Sequence, residues 1–215
     1  MGRASSLATV ALAETHTAIW AAVGVHPNSA AAWTDADIEW IAALARHPRV
    51  VAIGECGMDF YRDTATPAQQ ERAFRAQIAI ARAAGLPLVI HTRDASVATL
   101  KVLGEDATGL VVVLHCFSMV EHLDRVIDAG WYASFAGPLT YKPNDALRAA
   151  AAQMPADRIL VETDSPYLAP VPLRGRPNQP AYVAHTLAKL AEVRGLNVVT
   201  CDELTTTNAA RVFGW

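Results

Sequence analysis

Four apolar runs in this chain each lead to a residue that can bind a metal: VVAIGE ends on Glu55, PLVIH on His91, VVVLH on His115 and RILVETD on Asp164. Runs this short and rich in β-branched residues fit buried strands. An ionised carboxylate at the end of a buried run costs on the order of several kcal/mol to desolvate unless a cation faces it. Two carboxylates and two imidazoles at four strand ends therefore predict a divalent metal site. A single histidine at a strand end is more often a packing residue, so the weight comes from four donors at equivalent places.

Between these runs the pattern is helical. Residues 4–17 read as a helix with Leu7, Val10 and Ala11 on its apolar side, followed by a strand over AIWAAVGVHP ending at His26. Helices are expected at 33–47 with Thr34 as N-cap, at 67–84 with Gly85 as C-cap, at 95–103 and at 120–129. A strand over 131–135 precedes a helix capped by Asn144, the 159–163 strand, a proline-rich loop, and helices at 181–194 and 202–212. Strict alternation without a reversed hairpin predicts a parallel sheet, covered on both faces or closed.

The strand ends at 26, 55, 91, 115, 135 and 164 are 29, 36, 24, 20 and 29 residues apart. A (β/α)8 barrel of roughly 250 residues allows about 31 per unit, and it places its functional groups at the C-terminal ends of strands. The expected fold is thus α/β, of the TIM (β/α)8 barrel type in a single domain over 1–215, with six strands in place of eight. An open doubly wound sheet is the alternative, and the GxGxxG or P-loop that would mark it is absent.

With 52% hydrophobic and 18% charged residues, the chain is expected to bury a large core, and its net charge of −3 argues against broad binding to duplex nucleic acid. A basic loop could still hold one phosphate. Arg93, Arg174 and Arg176 are the candidates for such substrate contacts, against the plainer reading of solvated loop arginines. His26 in GVHP is either a substrate contact or a turn residue. His16, His47, His122 and His185 read as ordinary surface or packing histidines. Cys56 and Cys116 read as buried packing residues pointing away from the ligand side, and Cys56, Cys116 and Cys201 contain no CxxC pair. Without a signal peptide or a run of ~18 apolar residues, a cytoplasmic protein with no membrane association and no obligate protein partner is expected.

Imidazole with carboxylate suits Zn²⁺, Mn²⁺ or Fe²⁺. The segments AAVGVHP, VVAIGECGMDF, PLVIHTRDA, VVLHCFS, RILVETDSPYLAP, NQP and TTTNAARVF, in this order along nearly the whole chain, resemble the TatD family of metal-dependent deoxyribonucleases and hydrolases. The resemblance implies an amidohydrolase-type barrel with two divalent metals (Zn, Mn or Mg). It places Glu55 as a bridge, His91 and His115 on one ion, and Asp164 on the other as ligand or general base. It also implies phosphodiester hydrolysis by metal-bound hydroxide, often 3′ to 5′ on single-stranded DNA. The expected partner is then weakly bound single-stranded DNA or a small phosphoester. Hydrolysis of a small ester or amide on the same centre, and an inactive fragment, are the alternatives. The family opens with a strand carrying an HxH pair and a second strand, and this chain starts after both. A late start codon or a fragment is therefore expected, with at most one tightly bound metal and reduced activity.

Overall fold

The computed structural model describes residues 2–215, which fall into two compact units meeting at Val113 and Leu114. The first unit runs through α1 (Arg3–Thr15), β1 (Ala21–Val23), a 3₁₀ turn (Pro27–Ala32), α2 (Asp35–Leu44), β2 (Val50–Asp59), α3 (Pro67–Ala84), β3 (Leu88–Arg93) and α4 (Ser96–Asp106). β4 (Val112–Leu114) lies at the junction. The second unit holds α5 (Leu123–Asp128), β5 (Tyr132–Phe135), α6 (Asp145–Gln153), β6 (Ile159–Val161), α7 (Val183–Arg194) and α8 (Val198–Phe213). The order of the six strands in the sheet is the order of the chain.

In the first unit β2 pairs in parallel with β1 on one side and β3 on the other. Its length reflects an apolar start, Val50 to Ile53, of which Ala52 and Ile53 are wholly buried. α3 covers it: the Thr66 hydroxyl accepts from Gln69 N, Pro67 stands in the first turn, and Gly85 closes the helix in the left-handed region. Phe74, Ile78 and Ala81, at helical spacing, form its buried face. Two buried glutamines on that face serve the functional end of the strands. Gln77 accepts from Val25 N at 2.7 Å and donates to Val25 O at 3.0 Å, and Gln70 does the same for the Asp59 backbone at 2.8 Å each. Burying these amides is tolerable because each satisfies strand-end groups that have no ladder partner.

The second unit is built on the parallel pair β5 and β6, in register Ala133 with Ile159 and Phe135 with Val161. Asn208 on α8 donates to Ala156 O and Ile159 O at 2.8 and 2.9 Å, fixing the entry to β6.

Several boundaries differ from the sequence expectation. The strand expected to reach His26 is only Ala21–Val23, and His26 instead caps the 3₁₀ turn. β2 continues past Gly54 to Asp59. α1 buries Ser6, Val10 and Ala13, leaving Leu7 48% exposed, because small residues rather than leucine fit its packed face. α8 starts at Val198, where the Asn197 side chain accepts from Thr200 N.

Candidate metal centre

β2 and β3 meet in register Gly57 with His91, but between Ile53 and Cys56 the pairing slips: three steps on β2 answer two on β3. This bulge falls on Gly54 and Glu55, and it turns the Glu55 side chain out of simple alternation. A Cβ on Gly54 would lie 2.6 Å from Val89 O, and one on Gly57 2.1 Å from His91 O. Both glycines have positive φ, +156° and +133°. Glycine is therefore required on either side of Glu55 and its neighbour.

The result is a cluster of His26, Glu55 and His91 whose ligand atoms all lie within 4.8 Å of one another. His26 Nε2 stands 3.7 Å from Glu55 Oε2, His91 Nδ1 stands 3.8 Å from Glu55 Oε1, and the two rings are 4.4 Å apart. All three are half-buried.

Hydrogen bonds decide which nitrogen of each ring carries its proton. His91 Nε2 is 3.0 Å from Asp59 Oδ2. Burial alone would raise the Asp59 carboxyl, but donation from Arg62 N–H and from His91 outweighs it and leaves the group lowered, hence ionised. An ionised carboxylate only accepts, so the His91 proton sits on Nε2 and Nδ1 presents a lone pair on the Glu55 side. This is the arrangement of a carboxylate orienting a metal-binding imidazole. His26 is polarised the other way: Asn28 N–H donates to its Nδ1 at 3.1 Å, so its proton is on Nε2, directed to Glu55. Burial and the neighbouring His91 lower the His26 pKa to about 4, so the ring is neutral at pH 7. As a neutral donor, it suits an anionic oxygen better than a cation.

In the second unit the same device recurs. His115 Nδ1 lies 2.8 Å from Glu162 Oε1, which also accepts from Cys116 N at 3.0 Å. Its proton is thereby placed on Nδ1, leaving Nε2 as the unprotonated nitrogen on the Asp164 side, 3.6 Å from Oδ1. Asp164 is held at φ +61°. The buried Asn178 stabilises that loop, donating to Thr163 O at 2.7 Å and Tyr167 O at 2.6 Å. The four donors expected from sequence thus fall into two pairs, Glu55 with His91 and His115 with Asp164. Imidazole and carboxylate are donor types that suit a divalent cation.

Of the arginines, Arg93 lies 3.5 Å over the Tyr61 ring and Arg174 lies 4.1 Å over that of Tyr141. Arg176 is exposed on the same loop as Arg174. Burial pushes the Tyr141 phenol up, partly offset by Arg174. Cys56 is buried as expected, whereas Cys116 is only half-buried, at φ +43°, because its N–H must turn to reach Glu162. His47 pairs with Glu14 at 3.0 Å, a surface histidine as read. Asp59, Glu162 and Asn28 are the functional residues that sequence reasoning passed over. Their signals were present: Asp59 follows Glu55 at even strand spacing, and Glu162 stands two before Asp164.

Residues 2–214 match the family model for TatD-related DNases. A metal-dependent hydrolase, YabD of Bacillus subtilis, is 38% identical over 93% of this chain and 79% of its own length. A 3′-5′ ssDNA/RNA exonuclease, TatD of Pectobacterium carotovorum, is 42% identical over 90% of this chain and 77% of its own. The crystal structure of the TatD homologue YJJV from Escherichia coli superposes with a TM-score of 0.92, at 26% identity, covering 100% of this chain and 85% of that one. A TatD-family hydrolase from Entamoeba histolytica, 18% identical, shares the fold at a TM-score of 0.86. The expected TIM-barrel-type fold, with six parallel strands, is the one found.

Proposed function

Because the chain belongs to the TatD family of metal-dependent hydrolases, we propose that it removes nucleotides from the 3′ end of single-stranded DNA by phosphodiester hydrolysis. The observation that carries this reading is the convergence of Glu55 Oε1 and His91 Nδ1 with the His91 proton held on Nε2 by Asp59. Glu55 and His91, and in the second unit His115 and Asp164, are the residues we propose as ligands of Zn²⁺, Mn²⁺ or Mg²⁺, with at most one ion bound tightly per chain. When bound, such a cation supplies Lewis acidity toward a phosphoryl oxygen and activates water.

The chain's own groups do the rest. His26, neutral and protonated on Nε2, donates to a non-bridging phosphate oxygen. Asp164 serves as ligand or as the base that takes a proton from water. Arg93, Arg174 and Arg176 contact the substrate's phosphates, so their removal should raise KM with little change in kcat. No helix among the described residues is long and apolar enough to cross a membrane, and the sequence holds three cysteines with no CxxC pair; we propose that the protein works in the cytoplasm.

The test is hydrolysis of a 3′-labelled single-stranded oligonucleotide with added Mn²⁺, Mg²⁺ or Zn²⁺, beside a panel of small esters and amides. Metal-stimulated release of mononucleotides is expected. Turnover of an amide or carboxylic ester with none of the oligonucleotide would overturn the assignment.

A further inference from the structure

The C-terminal end of β2, the strand that carries Glu55, runs on into Phe60, Tyr61 and Arg62, large side chains left in solvent. Phe60 is 40% and Tyr61 55% exposed. Their backbone is not loose: Asp59 Oδ1 accepts from Tyr61 N at 2.9 Å and Arg62 N at 3.1 Å, while its other oxygen holds His91. One buried carboxylate therefore fixes both the imidazole and the turn that presents Tyr61. Phe60 N donates to Arg93 O at 2.9 Å, tying the turn to the end of β3.

Arg93 lies on the same strand as His91, two residues on, and so on the same face. Its guanidinium is stacked 3.5 Å from the Tyr61 centroid, and that of Arg62 is 5.4 Å away. Arg93 covers one face of Tyr61 and Arg62 lies farther off, yet the residue is more than half exposed, a solvent-facing aromatic flanked by two cations. It is the combination with which proteins grip single strands, an aromatic face for a base and cations for the adjoining phosphates. Asp63 and Asp94 adjoin these arginines in sequence, so net local charge is a weak handle and stacking must carry most of the grip.

We propose that Tyr61, set by Arg93 and Arg62, is a stacking platform for a base of the single-stranded nucleic acid substrate. The proposal rests on the phosphodiesterase reading above and assigns to that site a contact with the base in addition to the phosphate.

Anisotropy of a fluorescein-labelled oligo(dT) in EDTA measures this without any turnover. Tyr61→Ala should weaken binding about tenfold, and Tyr61→Trp should retain it. The wild-type protein should bind an abasic oligonucleotide of equal length as weakly as Tyr61→Ala binds oligo(dT). Equal affinity of Tyr61→Ala and wild type for oligo(dT), or of wild type for abasic and normal strands, would overturn the platform. Failure of the wild-type protein to hydrolyse any phosphodiester would instead strike at the catalytic reading, and the EDTA binding result would stand apart from it.

Discussion

A histidine has two nitrogens, and the group bonded to one decides what the other can do. Asp59 and Glu162 set His91 and His115 so that each turns a lone pair toward a carboxylate, Glu55 and Asp164. Supporting groups of this kind are worth roughly 10- to 100-fold in metal affinity. Asp59→Asn and Glu162→Gln should each weaken Zn²⁺ or Mn²⁺ binding by about that factor in calorimetry, with an unchanged circular dichroism spectrum. Wild-type affinity in both variants would mean that these carboxylates merely fill space. His26 makes a pH prediction for the metal-free protein. Its pKa falls from 6.5 to about 4 on folding, so the unfolded chain binds the extra proton first, and stability is lost as pH drops from 6.5 toward 4. The loss reaches on the order of 3 kcal/mol, and Asp59, lowered on folding, adds to it at the acid end. Denaturation midpoints of wild type and His26→Asn at pH 7 and pH 4.5 check this: the variant should lose less on acidification, and parallel losses would remove His26 as the cause.

Strand β2 is the element on which the first centre depends, and its bulge is its working part. Gly57→Ala would drive a methyl group to 2.1 Å from His91 O and should cost roughly 2–4 kcal/mol in urea unfolding. Gly109→Ala, with open space around it at φ +79°, should cost only about 1 kcal/mol. Equal costs would show that β3 yields and that the close approach at Gly57 is not needed. Helix ends are readable from sequence because caps are local: Thr34 and Gly85 mark their helices by residue type alone. Strand ends are not. A glycine after an apolar run ordinarily marks a strand end, yet Gly54 is a bulge glycine that lets β2 continue to Asp59, which residue pattern alone does not show. GVHP marks His26 as a candidate but not its context, since the Asn28 contact that fixes its proton depends on a 3₁₀ turn that the motif does not announce.

At the scale of the whole chain, the resemblance carried by seven short segments and the family match over residues 2–214 lead to the same hydrolase. Glu55 and His91 lie in the C-terminal halves of β2 and β3, and His115 and Asp164 follow the ends of β4 and β6, the side on which parallel α/β barrels put their chemistry. What pattern alone could not supply was the division of labour within the donor set, because a carboxylate that binds metal and one that steers a histidine are the same residue type in sequence. Glu55 is the residue on which the reading turns. The deciding measurement is the rate of bis(p-nitrophenyl) phosphate hydrolysis against Mn²⁺ concentration for wild type and Glu55→Gln, on protein of matched thermal stability. Saturable metal stimulation in the wild type, lost by 100-fold or more in Glu55→Gln, is the expected result. Metal-independent turnover, or the same metal response in both proteins, would contradict it.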